Sequence, residues 1–341
     1  MLNKKIDSEF RRIISALEVV LPPHTKLRFQ CRDGRCAVFS LAGQRLRARW
    51  VAAGWPRQVR DVLQDQEKLP DIVVASQMSP GARALLSREK IGWIDELGAA
   101  EFVFGSIVVS RTGRKKQLLP SREERWAPSL LAVAEALLCQ TSATVEAMMN
   151  ATGLSSGACT NALRILTHAG HLIADVPRGR HSARRIKDVD SLLEIYATAA
   201  VSRTRMNAAS LEVGGVWQDI IEGVAATGKI WDKLGISWAA TGAAAAAVMA
   251  PMITTLGSAV IYVAGETIAE LEIIARRANL QPIEGGRLLL KPFPTTAAKQ
   301  LATTVAGIKV APWPRVYADL RVVGVRGEDA AEHLREVIRG R

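Results

Sequence analysis

Residues 144–187 read TVEAMMNATGLSSGACTNALRILTHAGHLIADVPRGRHSARRIK. The beginning of this segment has apolar residues at helical spacing, namely Val145, Met148 and Met149. This spacing predicts a helix. Thr144 is a residue type that caps such a helix. Gly153 follows where a short turn between two crossing helices commonly requires a positive φ. The segment is therefore predicted to begin with a helix and a tight turn.

A second helix is predicted directly after the turn. Ser155 or Ser156 is expected to cap it and Gly170 to end it. Its buried stripe is predicted to comprise Ala158, Ala162, Leu163, Ile165 and Leu166. Its other face would present Ser156, Thr160, Asn161 and Arg164. Short polar side chains and one guanidinium are groups that bind base edges and phosphates in a major groove.

A basic hairpin completes the segment. An apolar strand is predicted over Leu172–Val176, and its partner strand returns through Arg184, Arg185 and Lys187. The tip between them contains Pro177, Arg178, Gly179, Arg180 and His181. Helix pairs and cationic hairpins each occur in proteins that bind no nucleic acid. Their succession in this order is typical of a winged helix-turn-helix, whose partner is duplex DNA.

Composition agrees with such a partner without singling it out. At 341 residues the chain is long enough for two or three domains, and its 48% hydrophobic content is typical of a folded protein. The net charge of +12 favours a polyanionic partner, which could be DNA, RNA or an acidic membrane. The hairpin therefore discriminates between partners better than the total charge does.

The cysteines indicate neither a disulfide framework nor a metal site. The first 20 residues do not resemble a secretion signal, so the four cysteines are expected to be reduced in a cytoplasmic protein. Cys31 and Cys36 flank a predicted turn and are expected to face each other. Because no second Cys or His pair has zinc-site spacing, we predict no metal and no cofactor.

The uncharged stretch Leu234–Gly265 is long enough to cross a bilayer. It is rich in Ala, Thr and Gly, and Pro251 and Gly257 interrupt it. A buried helix over Thr241–Ala250 followed by a buried strand over Ala259–Val263 explains the stretch better than a membrane span.

The chain as a whole is predicted to be a multidomain α/β (α+β) protein. An N-terminal α/β domain (1–117) has the element order of restriction-endonuclease-like folds, and a linker (118–128) follows. The winged helix-turn-helix occupies 129–196. After a helical connection, an α/β domain (212–341) resembles a degenerate nucleotidyltransferase. Within this last domain a strand is predicted over Val316–Leu320.

Two enzyme classes would each require a particular set of residues in this organisation. A restriction-like nuclease needs an acidic residue and a Glu-x-Lys or Asp-x-Lys motif to hold Mg²⁺ and activate water. Asp71 opens a predicted strand, but no lysine follows Asp95, Glu96 or Glu101 at that spacing, so Asp95 and Glu96 are interpreted as turn and cap residues. A nucleotidyltransferase needs two carboxylates on the strand that reads AVIYVAG here. We therefore predict a protein that is not an enzyme.

Three stretches carry a family resemblance. They are ARALLSREKIGWIDELGAAEF (82–102), WAATGAAAA (238–246) with the later IYV, and VYADLRVVGVRGEDAAEHLREVI (316–338). From about residue 69 to the end, the chain resembles the AbiEi-type antitoxins of abortive-infection (type IV) toxin–antitoxin systems. Many of those antitoxins carry the winged helix at the N-terminus, whereas here it lies between two α/β parts. Residues 1–68 match nothing in the family.

The resemblance implies a DNA-binding repressor of its own operon that opposes a nucleotidyltransferase-like toxin, generally without a direct complex. The residues predicted to bind operator DNA are Ser156, Thr160, Asn161, Arg164, Arg178, Arg180, His181, Arg184, Arg185 and Lys187. A homodimer is expected, because one module reads only a half-site. The alternatives are a metal-dependent restriction-like enzyme and a stand-alone regulator or adaptor of a mobile element.

Overall fold

A computed structural model describes residues 2–22, 25–52, 54–65, 68–112, 126–174, 184–204, 209–252 and 256–340. Over these residues the chain is a mixed α/β protein. It divides into two compact units. Unit 1 comprises Met1–Glu124 with Gly324–Asp329, and unit 2 comprises Arg125–Val323 with Ala330–Arg341. Most of the predicted linker 118–128 lies outside the described residues.

Unit 1 is built on a mixed sheet. Its elements are α1 (Leu2–Val20), β1 (Leu27–Asp33), β2 (Cys36–Leu41), β3 (Gln44–Val51), α2 (Pro56–Leu63), β4 (Ile72–Ala75), α3 (Pro80–Arg88), β5 (Gly92–Asp95), β6 (Ala99–Phe104) and β7 (Ile107–Thr112). The strands lie side by side in chain order. β3, β4 and β5 are parallel, and the other neighbours are antiparallel. Each parallel step requires a crossover, which α2 and α3 supply.

The two faces of this sheet bury different sets of residues. One face packs with α1 through residues such as Leu17 and Phe39. The other face packs with α2 and α3 through residues such as Val59, Val73 and Leu86. Each set forms a separate hydrophobic core, as expected for a sheet with helices on both faces.

Unit 2 contains the segment that includes residues 144–187 and a second sheet. Its first elements are α4 (Pro128–Leu138), α5 (Val145–Thr152), α6 (Ser156–His168), β8 (Leu172–Ala174), β9 (Arg184–Ile186) and α7 (Val189–Thr204). The elements that follow are β10 (Leu211–Gly214), α8 (Ile220–Lys233), β11 (Trp238–Thr241), α9 (Gly242–Met249), β12 (Ala259–Val263), α10 (Ile268–Arg277), β13 (Gln281–Pro282), β14 (Leu288–Pro292), α11 (Thr296–Gln300), β15 (Thr303–Val305), β16 (Ile308–Val310), α12 (Trp313–Leu320) and α13 (Val325–Arg339).

The second sheet has the strand order β13-β10-β14-β12-β11-β16-β15. The pairs β12–β14 and β11–β16 are parallel, and the remaining pairs are antiparallel. α8 packs closely here, because a Cβ added at Gly228 would lie 2.0 Å from the indole ring of Trp238. The same indole donates a hydrogen bond to Asp232 at 2.9 Å.

One hydrophobic core runs through the whole of unit 2. It includes Leu137 of α4, Leu163 of α6 and Tyr196 of α7 together with Leu290 of β14 and Val316 of α12. α4, α5 and α7 contact α11 and α12, and these helices share one buried interior with the second sheet.

The interpretation of the uncharged stretch Leu234–Gly265 is confirmed. α9 (Gly242–Met249) and β12 (Ala259–Val263) are the predicted helix and strand, and both are largely buried. Among the residues that the structure describes, every helix is too short or too polar to span a bilayer.

Two local predictions are wrong. Val316–Leu320 is not a strand but the end of α12, where Pro314 occupies the first turn and Val316 and Leu320 are both fully buried one turn apart. Cys31 and Cys36 do not face each other, because Cys31 pairs with Val38 and Cys36 with Asp33.

Candidate nucleic-acid interface

The predicted helix, turn and second helix correspond to α5, the turn at Gly153 and α6. The Thr144 hydroxyl accepts a hydrogen bond from the amide of Ala147 at 3.2 Å and caps α5. Gly153 has a φ of +67°, as expected for a left-handed residue that ends a helix. Ser155, not Ser156, caps α6 by accepting from the amide of Ala158.

Thr152 fixes the turn from the inside. Its hydroxyl is buried, donates to the carbonyl of Met148 at 2.6 Å and accepts from the amide of Leu154 at 3.3 Å. Gln300 of α11 lies against the outside of the turn, because a Cβ at Gly153 would come 2.3 Å from its amide nitrogen. The angle between α5 and α6 is therefore held both by the turn and by a neighbouring helix.

The buried stripe of α6 differs slightly from the predicted one. Ala162, Leu163 and Leu166 are buried as predicted, whereas Ala158 and Ile165 are only partly buried. Cys159 is fully buried and belongs to the stripe. The stripe is thus rotated slightly about the helix axis, toward the position of Cys159.

The other side of α6 is exposed along its length. We call Ser156, Thr160, Asn161 and Arg164 the polar face of α6, and all four are exposed. Arg164 donates to the amide oxygen of Asn161 at 2.8 Å, which orients both side chains. A Cβ added at Gly157, next to Ser156, would have no described atom within 4 Å, so the start of this face is open among the described residues. An open row of hydrogen-bonding groups on a rigid helix can enter a groove of duplex DNA.

The hairpin after α6 is described only at its base. β8 and β9 pair antiparallel, with Leu172 opposite Ile186 and Ile173 opposite Arg185. The amide of Lys187 donates to the carbonyl of His171 at 2.9 Å. Arg178, Arg180 and His181, at the predicted tip, lie outside the described residues.

The three basic residues of β9 and its continuation are not equivalent. Arg185 and Lys187 are exposed. Arg184 lies opposite Ala174, on the face of the hairpin that carries the buried Leu172, and is only half-buried. Directly opposed residues of a hairpin project to the same side. Arg185 and Lys187 are therefore better placed for phosphate contacts than Arg184.

A buried polar network lies behind α6 and was not predicted from the sequence. Glu135 of α4 is fully buried, and its two carboxylate oxygens accept hydrogen bonds from Tyr196 of α7 and from Thr295 before α11. Burial raises the pKa of Glu135 to about 7. The signal in the sequence was a single acidic residue within the otherwise apolar run Leu130–Leu138.

A buried ion pair lies close enough to Glu135 to influence its pKa. The guanidinium of Arg315 is 1% exposed and donates to Asp319 and, at 3.0 Å, to the Tyr262 hydroxyl. Asp319 also accepts from Thr241 and Tyr262, each at 2.6 Å. Although burial alone lowers it, the pKa of Arg315 is raised well above its ordinary value by the nearby Asp319. Thr241, at the start of α9, is thus part of the packed interior.

The carboxylates considered for nuclease chemistry are engaged in structural contacts. Asp71 accepts from the backbone amide of Arg47 at 2.7 Å. Asp95 is buried and accepts from the amides of Leu97 and Ala99, which confirms it as a turn residue. Glu96 instead forms an ion pair with Arg12 at 2.6 Å.

Comparisons with known proteins provide no further assignment. No protein-family model, no curated protein and no solved structure matches this chain.

Proposed function

We propose that this chain is a sequence-specific DNA-binding transcriptional repressor. The single observation that carries the proposal is the polar face of α6. It is exposed, pre-oriented by the Arg164–Asn161 hydrogen bond and carried on a helix whose other side is locked into the core of unit 2. In this proposal Asn161 and Arg164 contact base edges, and Ser156 and Thr160 contact bases or the adjacent backbone.

The basic hairpin contributes the sequence-independent part of the affinity. Arg185 and Lys187 bind phosphates, as do the predicted tip residues Arg178, Arg180 and His181. Each phosphate contact adds to the salt dependence of binding without adding sequence preference. The net charge of +12 assists the approach to a polyanion.

The resemblance to AbiEi-type antitoxins adds a biological role to the proposal. The chain then represses its own operon and opposes a nucleotidyltransferase-like toxin that is encoded beside it. In this reading unit 1 is a restriction-endonuclease-like scaffold, because the order α1, β1–β3, α2 and β4 follows that fold. The second sheet of unit 2 is a nucleotidyltransferase-like scaffold in which Thr241 and Tyr262 serve packing.

A mobility-shift titration with the DNA upstream of the gene and with random duplex tests the proposal. Asn161→Ala should weaken binding to the upstream DNA by about 1–3 kcal/mol, with a much smaller effect on random duplex. Lys229→Ala on α8 is the control, because it removes an exposed charge outside the proposed interface. Equal affinity of the wild-type protein for both DNAs would contradict the proposal.

A further inference from the structure

A short helix from the later part of unit 2 lies against the turn between α5 and α6. α11 (Thr296–Gln300) follows β14 of the second sheet and contacts both α4 and α5. Its last residue, Gln300, places its side-chain amide over the turn. A Cβ added at Gly153 would lie 2.3 Å from the amide nitrogen, 3.1 Å from the amide carbon and 3.4 Å from the amide oxygen. The described atoms nearest to that position, outside the turn itself, therefore all belong to Gln300.

The position of α11 is fixed from inside the protein. The Thr295 hydroxyl caps this helix by accepting from the amide of Ala298 at 2.9 Å, and it donates to the buried carboxylate of Glu135 in α4. Ala297 and Ala298 are fully buried. α4 also contacts α6. Gln300 is therefore carried on an element that is anchored to the same helix as α6.

Gln300 lies beside the end of α6 that would approach a duplex. Gln300 and Gly153 are both exposed, as are Ser155 and Ser156 at the start of α6. Three residues of chain span at most about 11 Å, so Gly153 lies within that distance of Ser156, the first residue of the polar face. The N-terminal residues of a recognition helix contact base edges in the major groove. A side chain beside that end of the helix therefore lies near the border of the groove.

The chemistry of Gln300 suits the group that a duplex presents at that border. Its amide has two N–H donors, and no described residue forms a hydrogen bond with it. Gln300 lies beside the turn and not along the polar face of α6, so the nearest part of a bound duplex is its backbone. Side-chain amides are among the groups that donate to phosphate oxygens.

We propose that Gln300 is a further DNA-contact residue, whose amide donates a hydrogen bond to a phosphate at the edge of the groove that α6 enters. This inference rests on the proposed function, because it requires α6 to lie in that groove. It gives α11 a part in DNA binding that the predicted winged helix-turn-helix (129–196) does not contain. A neutral donor adds affinity for any duplex but leaves the salt dependence unchanged, because it neutralises no phosphate.

Gln300→Lys in the full chain is the first test, because it converts the neutral contact into a charged one. A lysine at this position should neutralise the phosphate and make the log–log salt slope for random duplex steeper by roughly 0.9. Between about 50 and 200 mM salt, the variant should then lose roughly three- to fourfold more affinity than the wild type. Fluorescence anisotropy measures the slope.

Gln218→Lys is the matched control, because Gln218 is also an exposed glutamine of unit 2. The carbonyl of the preceding residue, Trp217, accepts from Arg287 at the start of β14, whereas α11 follows the end of that strand. The control therefore adds the same charge at the other end of β14 from α11. It should leave the salt slope nearly unchanged.

Gln300→Ala is the second test, because it removes the donor itself. Binding to the upstream DNA and to random duplex should weaken alike, by roughly tenfold, at the low end for a hydrogen bond to a charged group. The salt slope should stay that of the wild type, and Gln218→Ala should bind as the wild type does. Thermal unfolding of each variant is measured alongside, since a merely structural contact with Gly153 would change stability and leave the slope of Gln300→Lys unaltered.

The outcomes separate this inference from the proposed function. Equal salt slopes for Gln300→Lys and Gln218→Lys would overturn the inference, even where Asn161→Ala still weakens binding to the upstream DNA. A loss in Gln300→Ala that is confined to the upstream DNA would show that the amide contacts a base, and would overturn the assignment to phosphate. Equal affinity of the wild type for both DNAs would contradict the proposed function, while the slopes of the two lysine variants on random duplex would still test Gln300.

Discussion

Arg315 and Arg164 show how the same side chain serves two purposes in unit 2. Arg315 is buried, and Asp319 and Tyr262 accept hydrogen bonds from it inside the protein. Arg164 is exposed, and the contact that orients it is with a neutral amide, Asn161. The charge of the first arginine is balanced by a carboxylate inside the fold, whereas the second is exposed and has no ion pair among the described residues. The comparison shows that burial and a carboxylate partner distinguish Arg315, which is part of the packed interior, from the exposed Arg164.

The largest expected effect is the loss of stability when the buried arginine is removed. Arg315→Ala should lower the free energy of unfolding by about 3–5 kcal/mol, because it leaves Asp319 without its cationic partner in the interior. Arg164→Ala should change stability by no more than about 0.5 kcal/mol, since it is an exposed position. Chemical denaturation of both variants measures the difference. Similar losses in the two variants would show that exposure does not distinguish these arginines.

A second prediction concerns the pH dependence of stability. The pKa of Glu135 is raised to about 7 by burial, so the folded protein retains a proton that the unfolded chain releases near its ordinary value of 4.5. The stabilising contribution is therefore complete below the unfolded pKa and is lost as the pH rises through about 7. The difference corresponds to about 3 kcal/mol.

Glu135→Gln isolates this contribution, because the amide keeps hydrogen-bonding groups near Tyr196 and Thr295 but does not titrate. Urea denaturation of both proteins should show that the wild type loses more stability than the variant between mildly acidic and mildly alkaline pH. Parallel pH profiles in the two proteins would contradict the assignment.

The smallest expected effects concern two glycines, one in the turn between α5 and α6 and one in α6 itself. Gly153→Ala should destabilise the protein by about 1 kcal/mol or more, because φ is +67° and Gln300 occupies the space of the new Cβ. Gly157→Ala is the matched control within α6. Its surroundings are open, so it should stabilise the helix by up to about 1 kcal/mol. Thermal unfolding compares the two, and a change of the same sign in both would argue against the turn geometry.

The difference between local and long-range information explains what the sequence could predict. α5, α6, α9 and β12 follow from patterns within a few residues, such as the cap at Thr144 and the apolar spacing in α6. β3 was not predicted, although the apolar residues Leu46, Ala48 and Trp50 alternate with arginines in the period of a strand. α12 was mistaken for a strand, because the short apolar run Val316–Leu320 is compatible with both the helical and the strand period. Pro314, which lies just before the run in the first turn of α12, was overlooked.

The candidate site divides in the same way. The exposed face of α6 could be derived from helical spacing alone. Its support could not, because Glu135 and Thr295 are separated by 160 positions in the chain and meet only in the folded core.

The central claim is that the polar face of α6 reads a DNA sequence. Hydroxyl-radical footprinting of the region upstream of the gene tests this claim most directly, with wild-type protein and with Asn161→Ala combined with Arg164→Ala. The account predicts a discrete protected site for the wild type and its loss in the folded variant, while weak binding to random duplex persists. Uniform protection along the DNA by the wild type, or an unchanged footprint with the variant, would contradict it.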